Sequence, residues 1–383
     1  MALQAIDVQP IIDWLEGSRD ATPEAVISGL NQRMVTHGIS LARVAVFVRT
    51  LHPNAAGRAF FWRAEKPDEV EVDVAEHEWM LTPAHLQSPI YAIMATGREI
   101  RRRLADAACP MDFPVLAELR EEGLTDYYAA PLPSLTGEKL LCTFATRRAG
   151  GFTDAEMAGL RRLLAPVGRV AEILAWRRKA QNILEAYLGK SAGDKVLSGL
   201  IRRGDGEDIH AVIWFCDLRD STPLADSMSR SDFLKTLNDF FECVLAPVIE
   251  RDGEVLRFIG DAALAIFPVG ADTSEACRRA LDAAQAAISR LNKLNKTRAT
   301  PLRFGIGLHL GDVLYGNIGT ASRLEFTVIG AAANEAARIE ALCKTLDVPF
   351  VLSERVAAHI PGCRSLGRHS LRGVSEPVEV FTL

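Results

Sequence analysis

Cysteine is scarce in this sequence and is never arranged in close pairs. The seven cysteines are dispersed along the chain, and no C-x-x-C spacing joins any two of them. A disulfide framework or a structural zinc site would show an ordered set of closely spaced cysteines. We therefore expect reduced thiols in a cytoplasmic protein.

Long hydrophobic runs are also missing. Spanning a bilayer takes roughly 20 consecutive apolar residues, and no stretch of this sequence approaches that length. The opening residues, MALQAIDVQPIIDWLEG, do not place an apolar run after a basic region. We therefore expect neither a signal peptide nor a membrane partner.

Positive charge is not in excess. Lys and Arg number 44 against 49 Asp and Glu, for a formal net charge of -5. General nucleic-acid binding needs a concentrated basic face, and the short cluster Arg101-Arg102-Arg103 is interpreted as a solvated helix end. We expect no nucleic-acid partner.

The chain is long enough for two domains, since 383 residues can form two units that each bury a core. The first domain, predicted over 1–152, mixes helical and strand patterns. Residues 41–50 and 139–147 are rich in β-branched and aromatic side chains and are predicted to be strands. The fold expected here is α+β.

A helix is predicted to begin after Phe152. Thr153 and Glu156 have the spacing of a capping box, with Phe152 and Met157 as its hydrophobic staple. Apolar residues then recur at spacings of three and four: Leu160, Leu164, Val167, Ala171 and Leu174. This seam indicates either a parallel coiled coil or a helix that packs on its own domain. We predict a connecting helix over 153–205, with a coiled coil as one possibility.

The second domain, predicted over 206–383, follows a polar turn that contains glycine. Its pattern is βαββαβ, the ferredoxin-like arrangement, with a hairpin arm added. The predicted elements are strand 211–216, helix about 229–250, strand 254–259, strand 262–267, helix about 273–294 and strand 302–310. In the arm, Gly311, Gly316 and Gly319 are predicted to permit close turns.

Two carboxylates should meet at one end of this sheet. Asp217 ends the first strand, and Asp261 stands in the tight turn before the third. A right-handed crossover makes the first two strands parallel, and the turn reverses the third. If the first and third strands are neighbours, the two carboxylates converge, and such a pair suits hard divalent cations held against phosphate oxygens.

The loop after Asp217 is a candidate anion site. Leu218, Arg219, Asp220, Ser221 and Thr222 lead into a helix N-terminus, where free backbone N–H groups can bind phosphate. Asp220 or Ser221 could instead be an ordinary N-cap, and Asp217 a strand-end cap.

A later helix offers an amide and a cation on one face. Asn334 and Arg338 are four residues apart, so they share a helix face, and they suit a sugar oxygen and a developing phosphate charge. The alternative is that Arg338 pairs with Glu335 or Glu340 on a solvated helix.

Together these residues resemble the catalytic domain of class III nucleotidyl cyclases. The resemblance covers residues 206–383 and is carried by FCDLRDST (215–222), RFIGDAALAIF (257–267), HLGDVLYGNIG (309–319) and FTVIGAAANEAARIEALCK (326–344). The final block LRGVSEPVEVF is similar to the family's closing strand.

The resemblance implies an adenylate cyclase. Asp217, Asp261 and the carbonyl of Leu218 would hold two Mg²⁺ or Mn²⁺ ions, with Asn334 on the ribose and Arg338 on the transferring phosphorus. Residues 219–222 and Arg372 are assigned to the phosphates. In this family Asn334 and Arg338 come from the other subunit, so the resemblance implies a homodimer.

Base selection is where the sequence departs from the family pattern. Arg257 stands at the position of an adenine-selecting Lys, and Thr327 at that of its Asp partner, as in a bacterial Thr-type subgroup. Arg keeps the donor that adenine N1 needs, although Arg and Lys are not equivalent. ATP is the expected substrate. Guanylate cyclase and a catalytically silent nucleotide-binding module are the alternatives.

The first domain has a weaker resemblance, to the end of a GAF sensory domain. It is carried by GFTDAEMAGLRRLLAPVGRVAE (151–172). It implies regulation by a small molecule or other signal that the sequence does not identify. His77 and His85 are candidate ligands of haem or a metal, against the commoner interpretation as exposed polar positions.

Overall fold

The computed structural model describes residues 6–17, 22–52, 55–374 and 376–383. The chain divides into two compact units, Met1–Ala186 and Tyr187–Leu383. No helix in the described ranges is long and apolar enough to cross a membrane.

The first unit is built on a six-stranded antiparallel sheet of order β3-β2-β1-β6-β5-β4. Its strands are β1 (Arg43–His52), β2 (Ala55–Arg63), β3 (Val70–Ala75), β4 (Ile100–Arg102), β5 (Asp126–Leu132) and β6 (Leu140–Thr146). Its helices are α1 (Gln9–Gly17), α2 (Pro23–Thr36), α3 (Pro83–Leu86), α4 (Pro89–Thr96), α5 (Val115–Glu121) and α6 (Asp154–Leu188), with a 3₁₀ turn at Glu78–Leu81.

The strands predicted at 41–50 and 139–147 are confirmed, as β1 and β6. One prediction was wrong: Arg101 and Arg102 do not end a helix but lie in β4, because they pair with β5. There Arg101 forms an ion pair with the buried Asp126, at 2.6 Å.

The capping box at the start of α6 is confirmed. Glu156 accepts from the backbone N–H of Thr153 at 2.8 Å, and the Thr153 hydroxyl accepts from the N–H of Glu156 at 3.3 Å. The apolar seam between Leu160 and Leu174 packs in the core of the first unit. The seam therefore contributes to the core of its own unit, and the coiled coil remains a prediction.

The second unit holds an eight-stranded sheet. Its strands are β7 (Gly206–Leu218), β8 (Glu254–Ile259), β9 (Ala262–Pro268), β10 (Phe304–Gly319), β11 (Leu324–Ile329), β12 (Phe350–Ser353), β13 (Arg364–His369) and β14 (Val378–Thr382). Its helices are α7 (Lys190–Leu197), α8 (Ser221–Asp226), α9 (Arg230–Ile249), α10 (Thr273–Asn295), α11 (Ala331–Leu346) and α12 (Glu354–Ala357).

The strand order is β13-β14-β12-β10-β7-β9-β8, and β11 pairs with the outer part of β10. The first and third strands of the predicted βαββαβ pattern are indeed neighbours, since β7 pairs with β9 and Asp217 lies opposite Ala262. Because side chains alternate along a strand, Asp217 faces the same side as Ala211 and Ile213. That side of the sheet packs against α11.

Small residues let α11 lie close to β10. A Cβ atom at Gly311 would be 2.7 Å from the Cβ of Ala332, and one at Gly307 would overlap the backbone of α11. The prediction that Gly311 and Gly316 serve turns was wrong, because both lie inside the extended strand β10. Their role is close packing, at Gly316 against the backbone of Asp205.

Candidate active site

Asp217 and Asp261 meet at the end of β7, as the topology predicted. Gly260 adopts φ 66° in the turn between β8 and β9, a conformation that favours glycine. The turn is tied to β7, because the N–H of Leu218 donates to the Asp261 carbonyl at 3.3 Å. Burial, and next the neighbouring Asp261 carboxylate, raise the pKa of Asp217. Two carboxylates therefore lie close enough at this end of the sheet for one to raise the pKa of the other.

This donor set fits a hard divalent cation. Carboxylate oxygens are the ligands that Mg²⁺ and Mn²⁺ prefer, and Mg²⁺ sites on one or two carboxylates are completed by phosphate and water. Within the described ranges, no group of three or more His, Cys, Asp or Glu side chains could hold a metal ion. The donors present at this end of the sheet are the Asp217 and Asp261 carboxylates and backbone oxygens, a set that would leave the remaining positions around a cation to phosphate and water.

A third carboxylate, Glu340 of α11, approaches this pair. It is buried, and its carboxyl lies over Gly305, the residue opposite Asp217 in the β7–β10 register. Burial, and next the Asp217 charge, raise the pKa of Glu340 to about 7, although Arg219 acts in the opposite direction. Sequence reasoning missed this residue. Its spacing of four from the core-facing Ala336 was the signal that could have found it.

Glu340 should make the metal-free protein less stable as pH rises. Its folded pKa of about 7 exceeds the ordinary 4.5, so between those values the folded state binds more protons than the unfolded chain, and stability falls as pH rises through this window. At about 1.4 kcal/mol per pK unit, Glu340→Gln should raise the free energy of unfolding by up to about 3 kcal/mol at pH 8 and by almost nothing at pH 4.5.

Urea unfolding of wild type and Glu340→Gln in EDTA across pH 4.5–8 measures this difference, and titrating groups that do not interact with Glu340 cancel between the two proteins. The matched control is Glu242→Gln, which removes an exposed carboxyl from α9. A gain at pH 8 no larger than the gain at pH 4.5 would contradict the assignment.

Asn334 and Arg338 share the face of α11 that points away from the sheet. Ala332, Ala336 and Glu340 are buried, and residues two positions from them lie on the opposite side of the helix. The alternative pairing of Arg338 with Glu335 or Glu340 is wrong: Glu340 is buried toward Asp217, and Glu335 lies 3.3 Å from Nε2 of His309.

The neighbour of Arg338 is the closing loop of the domain. Its guanidinium lies against Gly373, where a Cβ would be 3.5 Å from Nη2. Arg372, the residue before Gly373, is exposed. Arg338 and Arg372 thus lie in one region of the surface, as the assignment of both to a phosphate chain requires. Neither of them forms an ion pair with any residue that the structure describes.

The predicted phosphate loop differs from the expectation, because Arg219 and Asp220 contact other residues of the protein. Arg219 is largely buried; its Nη2 donates to the Val348 carbonyl at 2.6 Å and its Nη1 is 3.8 Å from Asp347. The prediction that Arg219 binds phosphate is therefore not supported, because its guanidinium ties β7 to the chain after α11. Asp220 precedes α8 in a left-handed conformation, φ 57°, without a side-chain cap, and pairs with Arg303 at 2.6 Å. Ser221 and Thr222 form the first turn of α8.

Of the two predicted base-selecting residues, Thr327 lies on β11 in the hairpin arm and Arg257 lies on β8. Thr327 is buried, and its hydroxyl has no hydrogen-bond partner among the described residues. Arg257 is partly exposed and lies 3.0 Å from Glu325 of β11, measured from Nε to Oε1. Glu325 and Thr327 are two residues apart on a strand and so share a face. Glu325 was missed from the sequence, because only the folded arm brings it to Arg257.

The first unit contains a cavity of about 590 Å³. Aromatic side chains of Phe47, Phe61, Trp79 and Tyr127 line it together with His85. The interpretation of His85 as an exposed position was wrong: it is buried, with Trp79 at 4.7 Å between ring centroids and Nδ1 unpaired in the described structure. His77 is exposed, as expected.

Comparison with known proteins finds a family model that matches most of the second unit. The model of the adenylate and guanylate cyclase catalytic domain matches residues 207–377. An uncharacterized protein of Mycobacterium tuberculosis is 36% identical over 219 residues, 54% of this chain and 39% of the relative. An adenylate cyclase of Anabaena cylindrica is 32% identical over 174 residues, 44% of this chain and 34% of the relative.

The chain thus spans about two fifths or less of the length of these curated relatives. Among solved structures, a bacterial light-regulated adenylyl cyclase is 29% identical, with a TM-score of 0.42. That similarity covers 46% of this chain and 91% of the other.

Proposed function

We propose that the adenylate and guanylate cyclase catalytic domain formed by residues 207–377 converts ATP to 3′,5′-cyclic AMP and pyrophosphate. The observation that carries the proposal is the convergence of Asp217 and Asp261 beside β7, with a raised pKa at Asp217. A pair of neighbouring, uncompensated carboxylates in the family's metal position supports catalysis rather than passive nucleotide binding.

The reaction joins the ribose 3′-oxygen to the α-phosphorus and releases pyrophosphate. Asp217, Asp261 and the Leu218 carbonyl would hold two divalent cations, which when bound supply acidification of the 3′-hydroxyl and neutralisation of the triphosphate charge. Asn334 orients the ribose by hydrogen bonds. Arg338, beside Gly373, donates to the phosphoryl oxygens as charge develops, and such electrostatic and positioning effects dominate phosphoryl transfer.

The site requires two chains in this proposal. Asp217 and Asp261 of one protomer face Asn334 and Arg338 of its partner across a head-to-tail homodimer. The geometry of the single chain supports this. The carboxylate pair lies on the side of the sheet that α11 covers, whereas Asn334 and Arg338 lie on the opposite face of α11, and each group could bind part of a ligand.

The substrate base is assigned to Arg257 and Thr327. Arg257 is a pure donor and suits adenine N1, while the Thr327 hydroxyl can accept from the adenine amino group. The unpartnered, buried hydroxyl of Thr327 supports this role, because buried polar groups are normally satisfied. The family includes both adenylate and guanylate cyclases, so the contacts with the base must determine whether ATP or GTP is the substrate.

Purified protein given Mn²⁺ and ATP should form cyclic AMP, with a kcat/KM for ATP at least about tenfold above that for GTP, a difference of about 1.4 kcal/mol. The measurement is direct competition between the two nucleotides, with both cyclic products quantified chromatographically. Cyclic GMP as the main product would replace the proposal with guanylate cyclase. Binding without either product would identify a silent nucleotide-binding module.

The first unit is proposed to be a GAF-like regulatory domain that responds to a small molecule. Its support is the cavity of about 590 Å³ on a six-stranded antiparallel sheet, because preformed cavities of this size suit small ligands. Adding a ligand would change the cyclase rate in the whole chain and leave the rate of a protein lacking residues 1–152 unchanged.

A further inference from the structure

The first unit contains a second cavity, of about 350 Å³, on the other face of its sheet. In the β1–β2 register Val46 lies opposite Phe60, and Val48 lies opposite Arg58. These four side chains therefore share one face of the sheet, and all of them line this cavity. Phe47, between Val46 and Val48, points to the opposite face and lines the larger cavity of about 590 Å³. The two cavities thus lie on opposite faces of the sheet.

Much of the lining of this second cavity is apolar. The sheet contributes the buried side chains of Val46 and Phe60. The helix α2 contributes Val26, Ile27 and Leu30. From α6 come residues at spacings of three and four, which form one stripe along the helix: Val167, Val170, Ala171, Leu174 and Ala175. A cavity with such a lining favours an apolar ligand.

The lining changes from apolar to cationic along two of these elements. On α6 the stripe continues from Leu174 at the same spacings to Arg177 and Arg178, which also line the cavity. On β1 the lining passes from Val48 to Arg49. Each element therefore has an apolar part followed by a cationic part.

The cationic parts lie together, because α6 runs in the same direction as β1. Near the start of both elements, Glu156 accepts from the backbone N–H of Ser40 at 2.8 Å. Near their ends, Lys179 forms an ion pair at 2.5 Å with Glu138, which precedes β6, and β6 pairs with β1 as far as Phe47. The arginines of β1, β2 and α6 therefore line the same end of the cavity.

These arginines leave a net positive charge at that end. None of the guanidinium groups of Arg49, Arg58, Arg177 and Arg178 forms an ion pair or a hydrogen bond with a residue that the structure describes. Glu24 is the one acidic residue in the described lining. An arginine can bind a carboxylate through two parallel N–H···O bonds, so this end of an apolar cavity is suited to an anionic group.

We propose that this cavity binds a single-chain aliphatic carboxylate, with the chain among the apolar residues and the carboxylate on the arginines. A volume of about 350 Å³ is at the lower end of the range for small-ligand cavities, which fits one chain better than a two-chain lipid. The site goes beyond the proposed function and does not depend on it, because ligand binding to the first unit can be measured without turnover.

Titration calorimetry of the whole chain with decanoate, octanoate and decanol tests the site. Decanoate should bind once per chain, about tenfold more tightly than octanoate, because each additional buried CH₂ contributes about fourfold in affinity. Decanol keeps the chain but lacks the charge, and it should bind about tenfold more weakly than decanoate because it forms no charge-assisted hydrogen bonds with arginine.

Two changes in α6 separate the anionic end from the apolar part. The double variant Arg177→Gln, Arg178→Gln should remove the advantage of decanoate over decanol, since both arginines line this cavity and not the larger one. Ala171→Phe places a ring in the apolar part and should weaken both ligands at least about tenfold. The matched controls should leave decanoate binding unchanged: Arg162→Gln removes an exposed α6 arginine that lines neither cavity, and Ala84→Phe fills the larger cavity.

Equal affinity of wild type for decanoate and decanol would overturn the inference, as would an absence of decanoate binding. Unchanged decanoate binding in either α6 variant would do the same. Weaker binding in Ala84→Phe alone would assign decanoate to the larger cavity instead. None of these results depends on cyclic nucleotide formation, so a protein that binds decanoate as expected but forms no cyclic nucleotide would overturn the proposed function alone.

Discussion

Asp261→Asn is expected to lower the kcat for cyclic AMP formation by roughly a thousandfold or more while the protein stays folded. The substitution keeps the shape of the side chain but removes one of two charges that would hold the divalent cations, and metal-assisted charge stabilisation at this scale corresponds to about 4 kcal/mol of the barrier. Initial rates over a Mn²⁺ titration at saturating ATP measure the effect. Added Mn²⁺ should restore little activity.

The stability of the variant to urea distinguishes loss of the metal site from misfolding. Burial, and next the Asp261 charge, raise the pKa of Asp217 in the folded protein. The metal-free variant loses the second of these effects, a repulsion, and should unfold at the same or a higher urea concentration than wild type. Asp208→Asn, an exposed position on the same strand as Asp217, is the control and should retain full activity. Full activity in Asp261→Asn would refute two-metal catalysis at this pair.

The convergence of the two carboxylates could be predicted because it depends only on topology. A strand, a right-handed crossover and a tight turn place the end of β7 beside the start of β9 for any reasonable set of side chains. Periodicity likewise predicted that Asn334 and Arg338 share one face of α11, since residues four apart on a helix point the same way. Such features depend on the local sequence pattern and on the right-handedness of crossover connections, so they can be predicted from the sequence alone.

The contacts of particular side chains could not be predicted in this way. Glu325 reaches Arg257 only because the β10–β11 arm folds back over β8, and no local pattern gives the angle of that arm. Arg219 was assigned to phosphate from its place in a loop, yet it donates to Val348, which is distant in sequence. A long, flexible side chain chooses among partners brought together by the tertiary fold, so its loop position is a weak guide.

The glycines of β10 show the same limit of prediction from local sequence. Gly311 and Gly316 were interpreted as turn residues, which is the commoner reason for glycine in a hairpin. In the structure they lie in β10 and admit a helix or a neighbouring backbone. Both uses exploit the missing Cβ, and only knowledge of the packed neighbour distinguishes them.

One half of the proposed site is acidic before any ligand arrives. Burial, and next a neighbouring carboxylate, raise the pKa values of Asp217 and Glu340: Asp261 acts on Asp217, and Asp217 acts on Glu340. The other half, with Arg338 beside Gly373 and with Arg372, is cationic. Opposite charges on two faces of one chain favour a head-to-tail pairing in which each half meets its complement.

Two inactive variants should therefore restore activity when they are mixed. Asp261→Asn destroys the metal half of its own chain and leaves Asn334 and Arg338 intact, whereas Arg338→Ala does the reverse. If each site combines the metal half of one protomer with the α11 half of its partner, a mixed dimer has one intact site. Random pairing makes half of the dimers mixed, so activity should rise from below about 1% to about a quarter of the wild-type value.

The measurement is the rate of cyclic AMP formation after equal amounts of the two variants are mixed and allowed to exchange subunits. Mixing Asp217→Asn with Asp261→Asn is the matched control, because both changes lie in the metal half and no pairing of these chains yields an intact site. Diluting the active mixture should lower its rate per chain as dimers dissociate. If the variants stay inactive together while wild type shows no such loss on dilution, the site is complete within one chain, because a shared site would be both rescued by mixing and lost with the dimer.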